Sequence, residues 1–248
     1  MPQSKPEITI VPADENDTLA LARIETMAFD GPSPYALSRN NGAADLNAPE
    51  SDREQEQPLS QSRLMFGLPS AEGYAIRARS LNERLKTSPD YHIYKAVLKE
   101  EADGTEKEKE KIVGFAAWRF CAESPFPVED TWKDLPWEGA ANPTACNDFF
   151  GGMARLRTKN LGGRNVALLE TLTIDPSAQG LGIGSKMLDR GLEDAKNLGL
   201  TEAWLEASDA GYPLYKKYGW KDVEVMTVDF AKYGAVGSTS VTIMKREG

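Results

Sequence analysis

The sequence predicts an α/β (α+β) fold built on a mixed sheet, and three stretches carry that expectation. The first is Ala167–Leu198, ALLETLTIDPSAQGLGIGSKMLDRGLEDAKNL, in which an apolar run meets Asp175-Pro176, then a glycine-rich turn, then a helical pattern. Thr201–Ala207 (TEAWLEA) supplies the next strand, so the unit is β-α-β, with parallel strands and a right-handed crossover. The second is a hairpin: Tyr91–Leu98 and Ile112–Phe120 flank the charged tip Lys99–Lys111, turned at Asp103-Gly104. The third is the closing pair, Trp220–Phe230 and Ser238–Lys245, expected as antiparallel neighbours.

The remaining elements follow in order. Ile8–Val11 reads as a short strand ended by Pro12. Asp14 or Asp17 is placed to cap a helix reaching about Phe29, with Leu19, Ala22, Ile24, Met27 and Ala28 as its apolar side. From Asp30 to Ser70 the composition turns to Pro, Asn, Ser, Asp and Glu, which cannot build a core, and a mobile loop with at most a short helix is expected. Glu72–Leu85 is a helix ending before Ser88-Pro89. Prolines 125, 127 and 136 keep the first half of Cys121–Gly163 out of regular helix, whereas Thr144–Lys159 reads as helical. Arg155, Arg157, Lys159 and Arg164 form a basic cluster, read as a solvated helix face with a phosphate contact as the alternative. Ser208–Gly211 opens a short helix, Tyr212–Tyr218, which Gly219 ends. With no internal repeat and no second core-sized segment, residues 1–248 are expected to form one domain.

The totals exclude several classes. Of 248 residues, 40 % are hydrophobic and 27 % charged, as in an ordinary globular protein. No apolar run approaches the ~20 residues of a membrane helix, and the start has neither a signal-peptide core nor the features of a transit peptide. Two cysteines, Cys121 and Cys146, support neither a disulfide framework nor a Cys-rich zinc site, so no metal and a cytoplasmic address are expected. A net charge of −9 disfavours nucleic acid and anionic membranes and mildly favours cationic ligands such as amines. His92 is the sole histidine, and no nucleophile motif accompanies it, which argues against a Ser-His-Asp or Cys-His hydrolase.

A strand that runs into a glycine turn opening a helix can hold an anion, because the first helical amides lack partners and glycines let backbone close on a phosphate. On glycines alone, a plain helix start is an equal alternative. A dinucleotide fingerprint fails, since Ser185 or Met187 stands where its third glycine belongs, and a P-loop fails because the order is Gly184-Ser185-Lys186. The pattern that fits is Q/R-x-x-G-x-G/A at Gln179, Gly182 and Gly184, preceded by Leu172-Thr173-Ile174-x-Pro176. Further on, Tyr215-x-x-x-Gly219-Trp220 matches Y-x-x-x-G-F/W. With both motifs in the right order, the chain resembles the GNAT superfamily of acyl-CoA N-acyltransferases. The likeness is strong over residues 166–225, moderate over the N-terminal strands and helix, and absent from 30–70 and most of 121–160.

That resemblance implies a mostly antiparallel twisted sheet with one splayed parallel pair, flanked by helices. It also implies acetyl-CoA as co-substrate, a coenzyme and catalytic core at 164–230, and insertions at 30–70 and 121–163. It assigns the pyrophosphate to amides of Gln179, Gly180, Leu181, Gly182, Ile183, Gly184 and Ser185, and the pantetheine arm to Leu172, Thr173 and Ile174. Ser208 stands where many relatives carry asparagine, and is a further cofactor contact or a helix cap. Tyr215 is the acid that protonates the leaving thiolate, with a buried structural tyrosine as the alternative; Tyr212, also a cofactor contact, is the reserve acid, and Tyr218 is packing. Glu170 is the candidate general base; the alternatives are water and a salt-bridged strand glutamate. Alternation along the strand puts Glu170, Leu172 and Ile174 on one face. Trp132 and Trp137 either line an acceptor pocket or anchor a long loop, and 30–70 is a lid or only a loop. The implied reaction moves an acetyl group to a primary amine of a small molecule, in a monomer or homodimer. The alternatives are a non-catalytic acyl-CoA sensor or scaffold, or a protein N-acetyltransferase.

Overall fold

The computed structural model describes residues 7–30, 60–100, 109–128, 137–235 and 237–248. Its strands are β1 (Ile8–Pro12), β2 (Tyr91–Glu100), β3 (Lys109–Phe120), β4 (Ala167–Ile174), β5 (Glu202–Ala207), β6 (Lys221–Asp229) and β7 (Ser238–Glu247). Its helices are α1 (Thr18–Asp30), α2 (Gln61–Phe66), α3 (Ala71–Thr87), α4 (Pro143–Leu161), α5 (Ile183–Asn197) and α6 (Tyr212–Lys217). The strands form one sheet in the order β1-β2-β3-β4-β5-β7-β6, in which only β4 and β5 pair in parallel. The last strand therefore inserts between β5 and β6. The expected hairpin tip and most of the expected mobile loop fall on 101–108 and 31–59, outside the described residues, as does Trp132.

Strand alternation assigns the layers. Ala116, Trp118 and Phe120 of β3 and Leu169 and Leu205 of the parallel pair face α5, whose Ile183, Met187 and Leu188 are buried against them. Gly191 permits the closest approach: a methyl group built on it would lie 2.2 Å from the Trp118 ring. The opposite face of β3, Phe115 and Ala117, meets α1 and α3 through Leu21 and Leu81. On that side too, Leu161 of α4 packs with Leu168, Trp204 and Ile243, and the N-terminal half of α4 seats Cys146 and Phe149 on Val228, Phe230 and Val241. Asn142 caps α4 by accepting the Ala145 N–H at 3.0 Å, and Pro143 follows where its missing donor costs nothing.

Asp17 directly precedes α1, as expected, but its carboxylate serves the tertiary structure. The Lys95 ammonium donates to it at 2.6 Å and the Asp14 N–H at 2.8 Å. Trp137 takes the anchoring alternative: its indole donates to Asn147 and its ring packs 5.1 Å from Phe150 and 6.5 Å from Phe66.

Candidate active site

Two local features open the centre of the sheet. The β3–β4 register pairs Ala117 with Thr171 and Trp118 with Leu169, so Glu170 is the extra residue of a β-bulge. The β4–β5 ladder then stops: its pairs are Ala167↔Ala203, Leu168↔Trp204 and Leu169↔Leu205. Beyond them β4 continues on β3 to Ile174, while its side towards β5 makes no ladder pair among the described residues. A bulge bends its strand and adds twist, which is the physical reason that the two strands part here.

The bulge also overturns one expectation. Glu170, Leu172 and Ile174 do not share a face. Leu172 and Ile174 pack with the core under α5, whereas Glu170 turns to Arg84 of α3 and Arg157 of α4 on the other side. An unopposed residue shifts the two-residue period by one, and ETLT holds no glycine to announce it.

At the end of β4, Asp175 accepts the Ser177 N–H at 2.9 Å and starts a single 3-10 turn over Pro176–Ala178. The glycine turn follows. Gly180 and Gly182 have φ of +81° and +78°, a region that suits residues without Cβ, and no described atom lies within 4 Å of a methyl built on either. Gly180, Leu181 and Gly182 are exposed, and Gly182, at the N-cap of α5, has no side chain to cap the first turn. Among the described residues nothing plugs or caps the turn, which leaves amides at the start of α5 without partners. Gln179 is half-buried and donates weakly to the Ile174 carbonyl at 3.4 Å, closing the loop on itself. Ile183 and Gly184 are buried at the base of the turn, and the Ser185 carbonyl accepts the Tyr218 hydroxyl at 3.1 Å.

Tyr215 is buried in the core that includes α5, 6 % exposed and edge-on to Trp220 at 5.9 Å. Gly211 makes room for its ring, since a methyl there would approach within 2.7 Å. Burial, and then the charge of Glu206, push the Tyr215 phenol well above its ordinary range, which keeps it protonated. Tyr212 is directed elsewhere: its hydroxyl donates to Asp222 at 2.7 Å on the surface. Ser208 is exposed and opens α6 through its carbonyl, which accepts the Tyr212 N–H at 2.9 Å.

On the far face of the gap, Glu170 faces guanidiniums on both oxygens. Arg84 lies 2.6 Å from Oε2 and Arg157 3.9 Å from Oε1. Burial acts to raise its pKa, but the charges of Arg157 and Arg84 outweigh this and hold the carboxyl below its usual range. Arg157 is no solvated residue of a basic face: its fork also grips Glu206 of β5 at 2.7 and 2.9 Å. Glu206 was not singled out in the sequence, although an acid inside TEAWLEA on the Trp204 face is a visible irregularity. Nearby, the buried Tyr91 hydroxyl and the Thr173 hydroxyl of β4 have no hydrogen-bond partner among the described residues. Desolvation, with the Arg84 charge opposing it, pushes the Tyr91 phenol up to about 12.

A splayed parallel pair, headed by an open glycine turn at a helix start, is the setting in which the sequence motifs were expected. The family model described as Acetyltransferase (GNAT) family matches residues 74–220, more than half of the chain. The chain belongs to this family. No curated protein matches it in sequence. Among solved structures, a Drosophila melanogaster polyamine N-acetyltransferase, described as catalysing formation of N-acetylagmatine, is similar at a TM-score of 0.55 and 10 % identity, covering 98 % of this chain and 100 % of that one. A histone acetyltransferase HPA2 and related acetyltransferase from Corynebacterium glutamicum gives a TM-score of 0.50 at 16 % identity, covering 98 % and 97 %. At such identities the likeness is one of fold, and it agrees with the topology above: a GNAT sheet, mostly antiparallel, with one splayed parallel pair. In this GNAT chain no helix among the described residues is long and apolar enough to cross a membrane.

Proposed function

We propose that the chain transfers an acetyl group from acetyl-CoA to a primary amine of a small molecule, by direct attack within a ternary complex. The observation that carries this reading is the exposed, uncapped turn Gly180–Gly182 at the head of the β4–β5 gap. Acetyl-CoA supplies the activated acyl group as a thioester. The chain's part is to hold and orient it: backbone of Leu172–Ile174 along the pantetheine arm, and amides from Gln179 to Ser185 on the diphosphate. Residues 164–230 thus supply the coenzyme side of the reaction.

An ammonium has no lone pair, so the acceptor must lose a proton before attack, and the departing thiolate must gain one. Tyr215, kept protonated by burial, holds a proton to give to the thiolate, although the same burial makes it a weaker acid than a free phenol. Glu170 is poorly suited to take the amine's proton, because its oxygens already face two guanidiniums and its pKa is lowered. We therefore assign Glu170 the ion-paired role and let water carry off the proton. Calorimetric titration with acetyl-CoA, followed by a free-thiol release assay over polyamines, amino sugars, amino acids and aryl amines, tests the reading. No binding at millimolar acetyl-CoA would count against it, and binding without thiol release from any amine would favour a sensor.

A further inference from the structure

Glu170 and Glu206 are an uncomfortable pair. Each lies one residue beyond Leu169↔Leu205, the last pair of the parallel ladder, and both turn away from α5. Their side chains are only 9 % and 6 % exposed. Like charges on neighbouring strands repel, and a medium less polar than water strengthens the repulsion. Left alone, the two carboxylates would force the strands apart or take up a proton.

Arg157 reconciles them. Its Nε and Nη2 donate to the two oxygens of Glu206 at 2.7 and 2.9 Å, and its Nη1 lies 3.9 Å from Glu170, whose other oxygen meets Arg84 at 2.6 Å. Two arginines and two carboxylates from α3, β4, α4 and β5 thus form a neutral chain across the place where the strands part. The guanidinium fork fits this task as an ammonium does not, because it holds one carboxylate at two points and still presents a third donor. A helix that carries neither sequence motif contributes the bridging residue.

We propose that Arg157 is a positioning residue for acyl transfer, which sets the width of the β4–β5 gap on the face opposite α5 by locking Glu206 and Glu170 in place. The inference rests on the acyltransferase reading above and gives α4 a role in it. The charge of Glu206 also acts on the Tyr215 phenol, so a shift of β5 moves the charged surroundings of the proposed acid.

Two variants test it. Arg157→Lys keeps the charge and loses the fork. The double variant Arg157→Met/Glu206→Leu removes both charges, an exchange that commonly preserves or improves stability. Each is measured for melting temperature, for acetyl-CoA affinity by calorimetry, and for kcat and KM. The acceptor is whichever of spermidine, glucosamine, phenethylamine and aniline the wild type acetylates fastest. The expected result is a folded Lys variant with acetyl-CoA affinity within about threefold of wild type and kcat at least about tenfold lower, since small displacements at a reacting centre cost that much or more. The double variant is expected to melt near the wild type and remain as slow. Wild-type kcat in either folded variant would overturn the proposal and leave the cluster a purely structural one. A wild type that neither binds acetyl-CoA nor releases thiol would instead remove the acyltransferase reading.

Discussion

The two ends of α5 offer a matched pair of substitutions. Gly182 precedes the helix with φ +78° and Gly199 follows it with φ +74°, and a methyl group on either would meet no described atom within 4 Å. Alanine is therefore sterically acceptable in both places and strained in both. A left-handed backbone costs a residue with Cβ about 1–2 kcal/mol, offset by about 0.4–1 kcal/mol from the stiffer unfolded chain. The net loss of roughly 1 kcal/mol should lower the melting temperature of a chain this size by about 2–4 °C in each variant. Binding should separate them. At Gly182 the methyl group occupies the open space assigned to the diphosphate, so acetyl-CoA affinity should fall at least about tenfold, or about 1.4 kcal/mol. At Gly199, on the far end of the helix, affinity should stay unchanged. Differential scanning fluorimetry and calorimetry read the two quantities on the same samples. Equal acetyl-CoA affinities in the two variants would refute the assignment of the turn, whatever the melting temperatures.

Other consequences can be checked alongside. Tyr215→Phe should lower kcat by about a hundredfold, the scale of a lost general acid, with acetyl-CoA affinity nearly unchanged; unaltered turnover would remove the role of Tyr215. Gly191→Ala should cost about 1–3 kcal/mol of stability by overpacking, because its methyl group would lie 2.2 Å from Trp118; a chemical denaturation midpoint equal to wild type would contradict the close packing of α5. Glu170→Leu should cost about 3 kcal/mol at neutral pH by leaving Arg84 without its carboxylate, while Arg157 keeps Glu206. The Glu170 carboxyl is held below its usual range, so the unfolded chain binds more protons as pH falls. Its contribution is complete above the ordinary glutamate pKa of about 4.3 and is lost as pH drops through the folded value. The stability difference between wild type and variant should accordingly shrink in acid, and a difference independent of pH would show that the ion pairs do not matter.

What could be read in the sequence was local. The glycine turn, the strand before it, the helix behind it and the Tyr215–Trp220 segment all rest on short-range patterns, and each lies where those patterns place it. What could not be read was set by distant partners. The insertion of β7 between β5 and β6 depends on which edges the strands share, and no residue within either strand encodes that. The bulge at Glu170 arises from the register of β4 on β3, so simple alternation assigned Glu170 to the wrong face. Arg157 looks like a solvated helical residue among Arg155 and Lys159 until Glu206 and Glu170 are brought beneath it. The glycine turn was thus more legible than the Arg157 cluster, because backbone turns have a sequence signature and ion-pair networks do not.

The most direct test follows the amide signals of isotope-labelled protein as acetyl-CoA is added. The N–H resonances of Gly180, Leu181, Gly182, Ile183 and Gly184 should move together and saturate with one affinity, while those of Gly199 and the far edge strand β6 stay in place. If saturating acetyl-CoA leaves the five turn amides unmoved, the coenzyme is not held there and the account fails.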